Sequence, residues 1–173
     1  MYKIELLEKL TAHAFDMIKF GEAKNTVLIA FNGAIVVGMT KVLNDTHSKF
    51  FYWYAIYIIL MCAISVFVCC AAVIAKIKHK PYEISLPRND NPLLFATIAH
   101  MTHQELLREL NTKYGCDTKN ENYEIDLARQ AVVMSQIASR KFKLFNVAIG
   151  ITLLGVATPA SIFIYKVFLD HDK

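Results

Sequence analysis

The sequence lacks the patterns that mark most enzymes and most metal sites. It has no Gly-rich phosphate loop, no Gly-x-Ser-x-Gly elbow and no His-Glu-x-x-His helix. Those arrangements cradle phosphate, expose a serine nucleophile or pair two imidazoles on zinc, so catalysis is not expected. Four cysteines occur without a Cys-x-x-Cys pair, which indicates neither a disulfide framework nor a zinc site. Cys62, Cys69 and Cys70 lie inside an apolar run, where they behave as small hydrophobes. Cys116 stands alone in a polar stretch and reads as a surface thiol. His100 and His103 have an i, i+3 spacing that can hold a metal. No further acid or cysteine stands in register, so helix-start hydrogen bonding is the expectation there, with no metal. The chain up to Asn25 carries mixed charge and no short apolar core, which is not the pattern of a secretory signal.

The most telling absence is of charge. Phe50–Ala75 (FFYWYAIYIILMCAISVFVCCAAVIA) contains no Asp, Glu, Lys, Arg or His. At about 1.5 Å per residue such a helix crosses a hydrocarbon layer of roughly 30 Å with length to spare. Lys49 precedes it, and Lys76, Lys78 and Lys80 follow. In a chain of 173 residues with 55% hydrophobic content, this predicts a membrane span flanked by smaller regions.

Two further apolar runs accompany it. Thr26–Leu43, interrupted by Asn32 and Lys41, is just long enough to span if Lys41 reaches the interface. Ala30, Ala34 and Gly38 have small-xxx-small spacing, which lets another helix backbone come close. An Asn at membrane depth needs a partner, and packing against a neighbouring helix is the expectation over a pore-lining role. Leu144–Tyr165 is also free of charge and contains Pro159, where a helix can kink. Tyr52, Trp53, Tyr54 and Tyr57, with Tyr165 and Phe168, form an aromatic belt. The short polar linker Asn44–Lys49 makes the first two spans a tight hairpin. The alternative is two spans, with the first run buried or re-entrant.

The rest of the chain is polar and helical in pattern. Residues 1–25 read as an amphipathic helix with Ile4, Leu7, Ala14 and Ile18 at helical spacing. Pro81, Pro87 and Pro92 punctuate the passage from Pro81 to Met101, predicting an extended or turned connector. Thr102-His103-Gln104-Glu105 fits a capping box opening a helix, and Gly115 supplies its stop. From about Asn120 a stripe of Tyr123, Leu127, Ala131, Met134, Ala138, Phe142 and Phe145 continues without a breaker into the last apolar run. One long helix is therefore predicted, running unbroken from about Asn120 to Tyr165. Residues 76–143 hold eleven Lys or Arg against eight Asp or Glu, a net of +3. The positive-inside rule then places this region and the N-terminus in the cytoplasm, with the hairpin loop and C-terminus outside.

The predicted organisation is an all-α membrane protein with three transmembrane helices and a small helical cytosolic region. Its parts are residues 1–25, spans 26–43, 50–75 and 144–168, and a cytosolic region 76–143. That region is too small and polar to build a large core alone, so a homo-oligomer is expected. Arg88, Arg108, Arg129, Arg140, Lys141 and Lys143 could hold an anion, the arginines through a bidentate fork. Arg140, Lys141 and Lys143 sit where basic residues ordinarily meet lipid headgroups. Arg129 lies one turn beyond Asp126, so an intrahelical pair is its plainest role.

Several stretches together resemble the transmembrane effector family of bacterial Pycsar antiphage systems. They are Phe20-Gly-Glu-Ala-Lys24 leading into Leu28-Ile-Ala-Phe-Asn32-Gly33-Ala34, then Asn91-Pro92-Leu93-Leu94-Phe95, Asp126-Leu-Ala-Arg129-Gln130 and Ala138-Ser-Arg140-Lys141-Phe142. The similarity covers nearly the whole chain in order, departing at Gly21-Glu22 where Ala-Asp is expected. The resemblance implies a partner cyclase making cyclic CMP or cyclic UMP on infection. It also implies a cytosolic sensing part, and inner-membrane damage that aborts the infection. On it, Arg129 and Gln130 are the expected ligand-binding residues, with Asn91 and Arg140 behind them. A monoanionic ring phosphate suits a guanidinium, and a pyrimidine edge suits an amide. No metal, no enzymatic cofactor and no nucleic acid polymer is expected. The competing readings are a membrane adaptor whose cytosolic helices dock a partner protein, and a small transporter hinted at by Asn32, Asn146 and Pro159.

Overall fold

The computed structural model describes residues 3–45, 48–74, 91–115 and 122–171, with side chains followed as far as Thr158 and again at Ser161. All regular structure among them is α-helical: α1 (Lys3–Asp45), α2 (Lys49–Val73), α3 (Phe95–Ile98), α4 (His103–Tyr114) and α5 (Asn122–His171). Three of these, α1, α2 and α5, are long and apolar enough to cross a membrane, and the protein is an all-helical membrane protein with three such helices. The amphipathic stretch up to Asn25 and the run from Thr26 to Leu43 lie on one unbroken 43-residue helix. No proline or paired glycine interrupts the periodicity there, so nothing ends the helix between them. Helix α5 is likewise continuous for 50 residues and passes Pro159. The positions of Arg88, Cys116, Pro81, Pro87, Lys76, Lys78 and Lys80 lie outside the described residues, as do the side chains of Tyr165 and Phe168.

The chain divides into two compact units, and α1 and α5 contribute to both. The first draws on residues 3–22, 91–115 and 122–142. Its core joins Leu7 and Leu10 of α1, Ile98 of α3, Leu106, Leu107 and Leu110 of α4, and Ala128, Ala131 and Val132 of α5. Each large side chain buried there stabilises by about 1.5–3 kcal/mol relative to exposure. Lys3 and Glu124 close one side, 2.7 Å apart, with side chains only 4% and 8% exposed. Near the other limit of this unit Lys141 donates to Glu22, and Phe142 packs its ring against Phe20 and Phe95. Lys141 is thus buried in an ion pair, not turned out like a headgroup contact. Gly21 leaves room for its stem, whose Cβ lies 3.4 Å from where a side chain on that glycine would begin.

The passage after Pro92 takes the turned form of the connector its prolines suggest, with one short helix inside it. Asn91 Oδ1 accepts from the Leu93 backbone N–H at 3.0 Å, and the carbonyls of Asn91 and Leu94 then accept from Leu94 and from Thr97 and Ile98. Proline restrains its own φ and the residue before it, not the chain beyond. The turn it starts therefore winds into α3, which carries Thr97 and Ile98 into the interior.

The second unit draws on residues 23–45, 48–74 and 143–171. Leu28, Cys69 and Ala148, one from each helix, form its apolar centre, with Ile29, Val68, Phe145 and Ile149 against it. Beside them lies a buried polar layer. Asn32 Nδ2 donates to Ser65 Oγ at 3.2 Å, and Ser65 Oγ donates to the Ala148 carbonyl at 2.8 Å. Thr152 Oγ1 lies 3.1 Å from Asn32 Oδ1 and 2.8 Å from Ser65 Oγ. Asn32, Ser65 and Thr152 are all buried, so Asn32 is held by neighbouring helices, as a polar side chain at membrane depth requires. At the start of α2 the rings of Phe50, Phe51, Tyr52 and Trp53 are exposed and pack on one another edge to face.

Candidate functional site: an anion-binding groove

The groove forms because α4 is fixed at both ends. Thr102 Oγ1 accepts from the Glu105 backbone N–H at 3.2 Å, and Glu105 Oε2 accepts from the Thr102 backbone N–H at 2.7 Å, a reciprocal capping box. At the far end Gly115 takes φ 62°, the left-handed region, where a Cβ would crowd the backbone. Its N–H reaches the Asn111 carbonyl at 2.9 Å. Between these stops Leu106, Leu107 and Leu110 turn inward, which sets His103, Gln104, Arg108 and Asn111 toward the rim.

Helix α5 supplies the opposite wall. Ala128 and Ala131 face the core with no bulk beyond Cβ, and this places Ile125 and Arg129 beside α4. A cavity of about 540 Å³ results, lined by His103, Gln104, Leu107, Arg108, Asn111, Ile125 and Arg129. Its floor is apolar at Leu107 and Ile125. Its rim carries two guanidinium groups from different helices and two carboxamides.

Electrostatically the rim is available to an anion. Arg129 Nη1 has one carboxylate partner among the described residues, Asp126 at 3.6 Å within the same helix, with side chains 59% and 72% exposed. A solvated pair of that kind contributes about 0–1 kcal/mol, so an incoming anion displaces little. The first turn of α4 is already occupied by the Glu105 carboxylate, so the two arginines and not the helix end make the groove attractive to negative charge.

Of the ligand-binding candidates singled out in the sequence, the structure brings Arg129 together with Arg108 and not with Gln130, Asn91 or Arg140. Gln130 is exposed and does not line the groove, since adjacent positions on a helix point about 100° apart. Asn91 is exposed, with its amide oxygen engaged in the turn at Leu93. Arg140 is exposed three turns farther along α5. His103 and Gln104, noted in the sequence for other reasons, and Asn111, which is not singled out there, complete the lining. The signal for them was the capping box, which fixes the phase of α4 and puts positions 103, 104, 108 and 111 on one edge of its polar face. Among the described residues no three His, Cys, Asp or Glu side chains gather as a metal site.

A family model of the Pycsar effector protein domain matches residues 6–167. The chain belongs to the Pycsar effector family. No curated protein and no solved structure matches it. Membership and the three apolar helices together make this Pycsar effector a transmembrane protein of antiviral defence. The family is one of membrane effectors and not of known enzymes. The matched range takes in the three apolar runs and the whole groove, so both belong to the family domain.

Proposed function

We propose that this effector binds a cyclic pyrimidine mononucleotide, cyclic CMP or cyclic UMP, in the α4–α5 groove and then compromises the inner membrane, aborting infection. The observation that carries the reading is the convergence of Arg108 and Arg129, beside Gln104 and Asn111, on one cavity of about 540 Å³. Cavities of several hundred Å³ suit ligands of nucleotide size. A cyclic phosphodiester carries one negative charge, which two guanidinium groups answer through charge-assisted hydrogen bonds. Carboxamides can both donate to and accept from a pyrimidine edge, and the Leu107–Ile125 floor suits its face. Gln130, Asn91 and Arg140 have no part in this groove.

The groove lies on the cytosolic side, following the excess of Lys and Arg in residues 76–143, with the C-terminus outside. The effector acts as a homo-oligomer, and ligand binding shifts it between two packings. Arg129 and the third apolar run lie on one continuous helix, α5, which supports coupling between binding and membrane.

Calorimetric titration of the full chain in nanodiscs tests the reading. Cyclic CMP or cyclic UMP binds, and Arg129→Ala or Arg108→Ala weakens binding about 10- to 100-fold, the loss of one hydrogen bond to a charged group. Absence of heat with both nucleotides refutes it. An adaptor would instead keep its function when all three spans are exchanged for unrelated apolar helices.

A further inference from the structure

We infer that the Asn32–Ser65–Thr152 layer is the gate of the membrane unit: closed by its own hydrogen bonds at rest, and the lining of a path for water and small ions once α1, α2 and α5 part. The inference rests on the proposed membrane-damaging function and deepens it by naming the residues through which the damage passes.

Position is the first argument. Asn32 lies two to three residues before the middle of Thr26–Leu43, Ser65 the same distance after the middle of Phe50–Ala75, and Thr152 the same distance before the middle of Leu144–Tyr165. Because the direction of α2 is opposite to that of α1 and α5 in the three-span topology, these offsets put all three on one side of the midplane, each by about 4 Å. Three polar side chains from three helices thus coincide at the depth where polarity is most costly. An anchoring bundle has no need of them, since apolar side chains of the same size pack there without cost.

Hydrogen-bond arithmetic is the second argument. The Thr152 hydroxyl has a single proton, yet Asn32 Oδ1, Ser65 Oγ and the Ala148 carbonyl oxygen lie 3.1, 2.8 and 3.2 Å from it. Only one of them can take the proton at a time. At rest the set is closed, because the Thr152 hydroxyl can serve Asn32 Oδ1 while Asn32 Nδ2 donates to Ser65 Oγ and Ser65 Oγ to the Ala148 carbonyl. Parting the helices breaks these bonds and leaves their polar atoms to be satisfied by water. An apolar constriction of equal width dewets and blocks conduction, whereas this one is ready to hydrate. The apolar shell of Leu28, Cys69 and Ala148 beside it keeps water out while the helices remain packed.

The experiment uses the full chain in phosphatidylethanolamine–phosphatidylglycerol vesicles loaded with a potassium-sensitive dye, with cyclic CMP or cyclic UMP added. Wild type passes ions on nucleotide addition. Thr152→Val combined with Ser65→Ala inserts equally, binds the nucleotide with unchanged Kd, and reduces the flux about tenfold or more, as expected for a dewetted constriction. Restoring the hydroxyl with Thr152→Ser in place of Val recovers the flux. Flux through the apolar double variant equal to wild type overturns the gate and leaves the nucleotide reading intact, because the layer is then packing alone. No flux from wild type with either nucleotide overturns both. Should the double variant fail to insert, a second measurement decides: Thr152→Cys, in a chain whose four native cysteines are replaced by alanine, is labelled by a water-soluble thiol reagent only after nucleotide addition. A chain that passes ions without being labelled overturns the gate.

Discussion

Substituting alanine for Gly155 tests how tightly α2 and α5 approach in the membrane unit. A Cβ at Gly155 would stand 2.7 Å from Met61 Cβ and 3.3 Å from Met61 Cγ. Methionine is flexible beyond Cγ, but its Cβ is fixed by the α2 backbone, so no rotamer relieves the first contact. The helices must separate by about 1 Å to reach ordinary van der Waals distance. Overpacking of this kind costs about 1–3 kcal/mol. The displacement also reaches the polar layer. Ser65 stands one turn beyond Met61 and Thr152 one turn before Gly155, so their 2.8 Å contact would open past hydrogen-bonding distance. Gly33→Ala serves as the matched control, because a Cβ there meets nothing within 4 Å and gains about 0.5–1 kcal/mol in helix propensity. The assay is thermal unfolding of the full chain in micelles, followed by circular dichroism, with both variants beside wild type. Gly155→Ala melts several degrees lower, and Gly33→Ala melts no lower than wild type. Equal melting of all three would refute the close approach of α2 and α5.

The remaining predictions concern the first unit. Glu124→Gln or Lys3→Met alone leaves one buried charge without its partner and destabilises by about 3–5 kcal/mol. Lys3→Met with Glu124→Leu costs far less, a contrast that chemical denaturation of the full chain measures. Thr102→Ala removes the acceptor for the Glu105 N–H and costs about 1 kcal/mol, seen as faster amide exchange in the first turn of α4. The Tyr123 phenol donates to Glu8 at 3.1 Å, and that bond holds its pKa above the ordinary value of 10.0. A folded pKa raised in this way adds stability that is fully present below the unfolded value and disappears as pH climbs through the folded one. Tyr123→Phe therefore lowers stability at neutral pH and removes that alkaline loss, and an unchanged stability–pH curve would refute the Tyr123–Glu8 bond.

Local chemistry was legible in the sequence. The charge-free run after Lys49 announces a spanning helix, Thr102 and Glu105 announce the start of α4, and Gly115 its end, because each signal is complete within a few residues. The long final helix is legible for the same reason, since nothing between Asn122 and the last apolar run breaks the pattern. Proline is the incomplete signal. Pro92 speaks only for itself and the residue before it, so the prolines suggest an extended or turned connector as far as Met101 but not the short helix inside it. The Asn91 side chain turns the chain directly into α3.

Pairing between distant segments leaves no local trace. Lys3 meets Glu124 across 121 positions, and Asn32 meets Ser65 across 33 and Thr152 across 120. In the sequence each is a polar residue whose partner is one of many. The groove shows the same limit from the other direction. Arg108 and Arg129 both stand out as anion holders, but only the packing of Leu107 and Ala128 into one core decides that they share a cavity while Gln130 and Arg140 do not. A guanidinium on an exposed helix face is an ordinary solvated charge. A second helix brings another guanidinium and two amides to the same cavity. Under the proposed function it is the apolar contacts beneath them that turn a solvated charge into a recognition group.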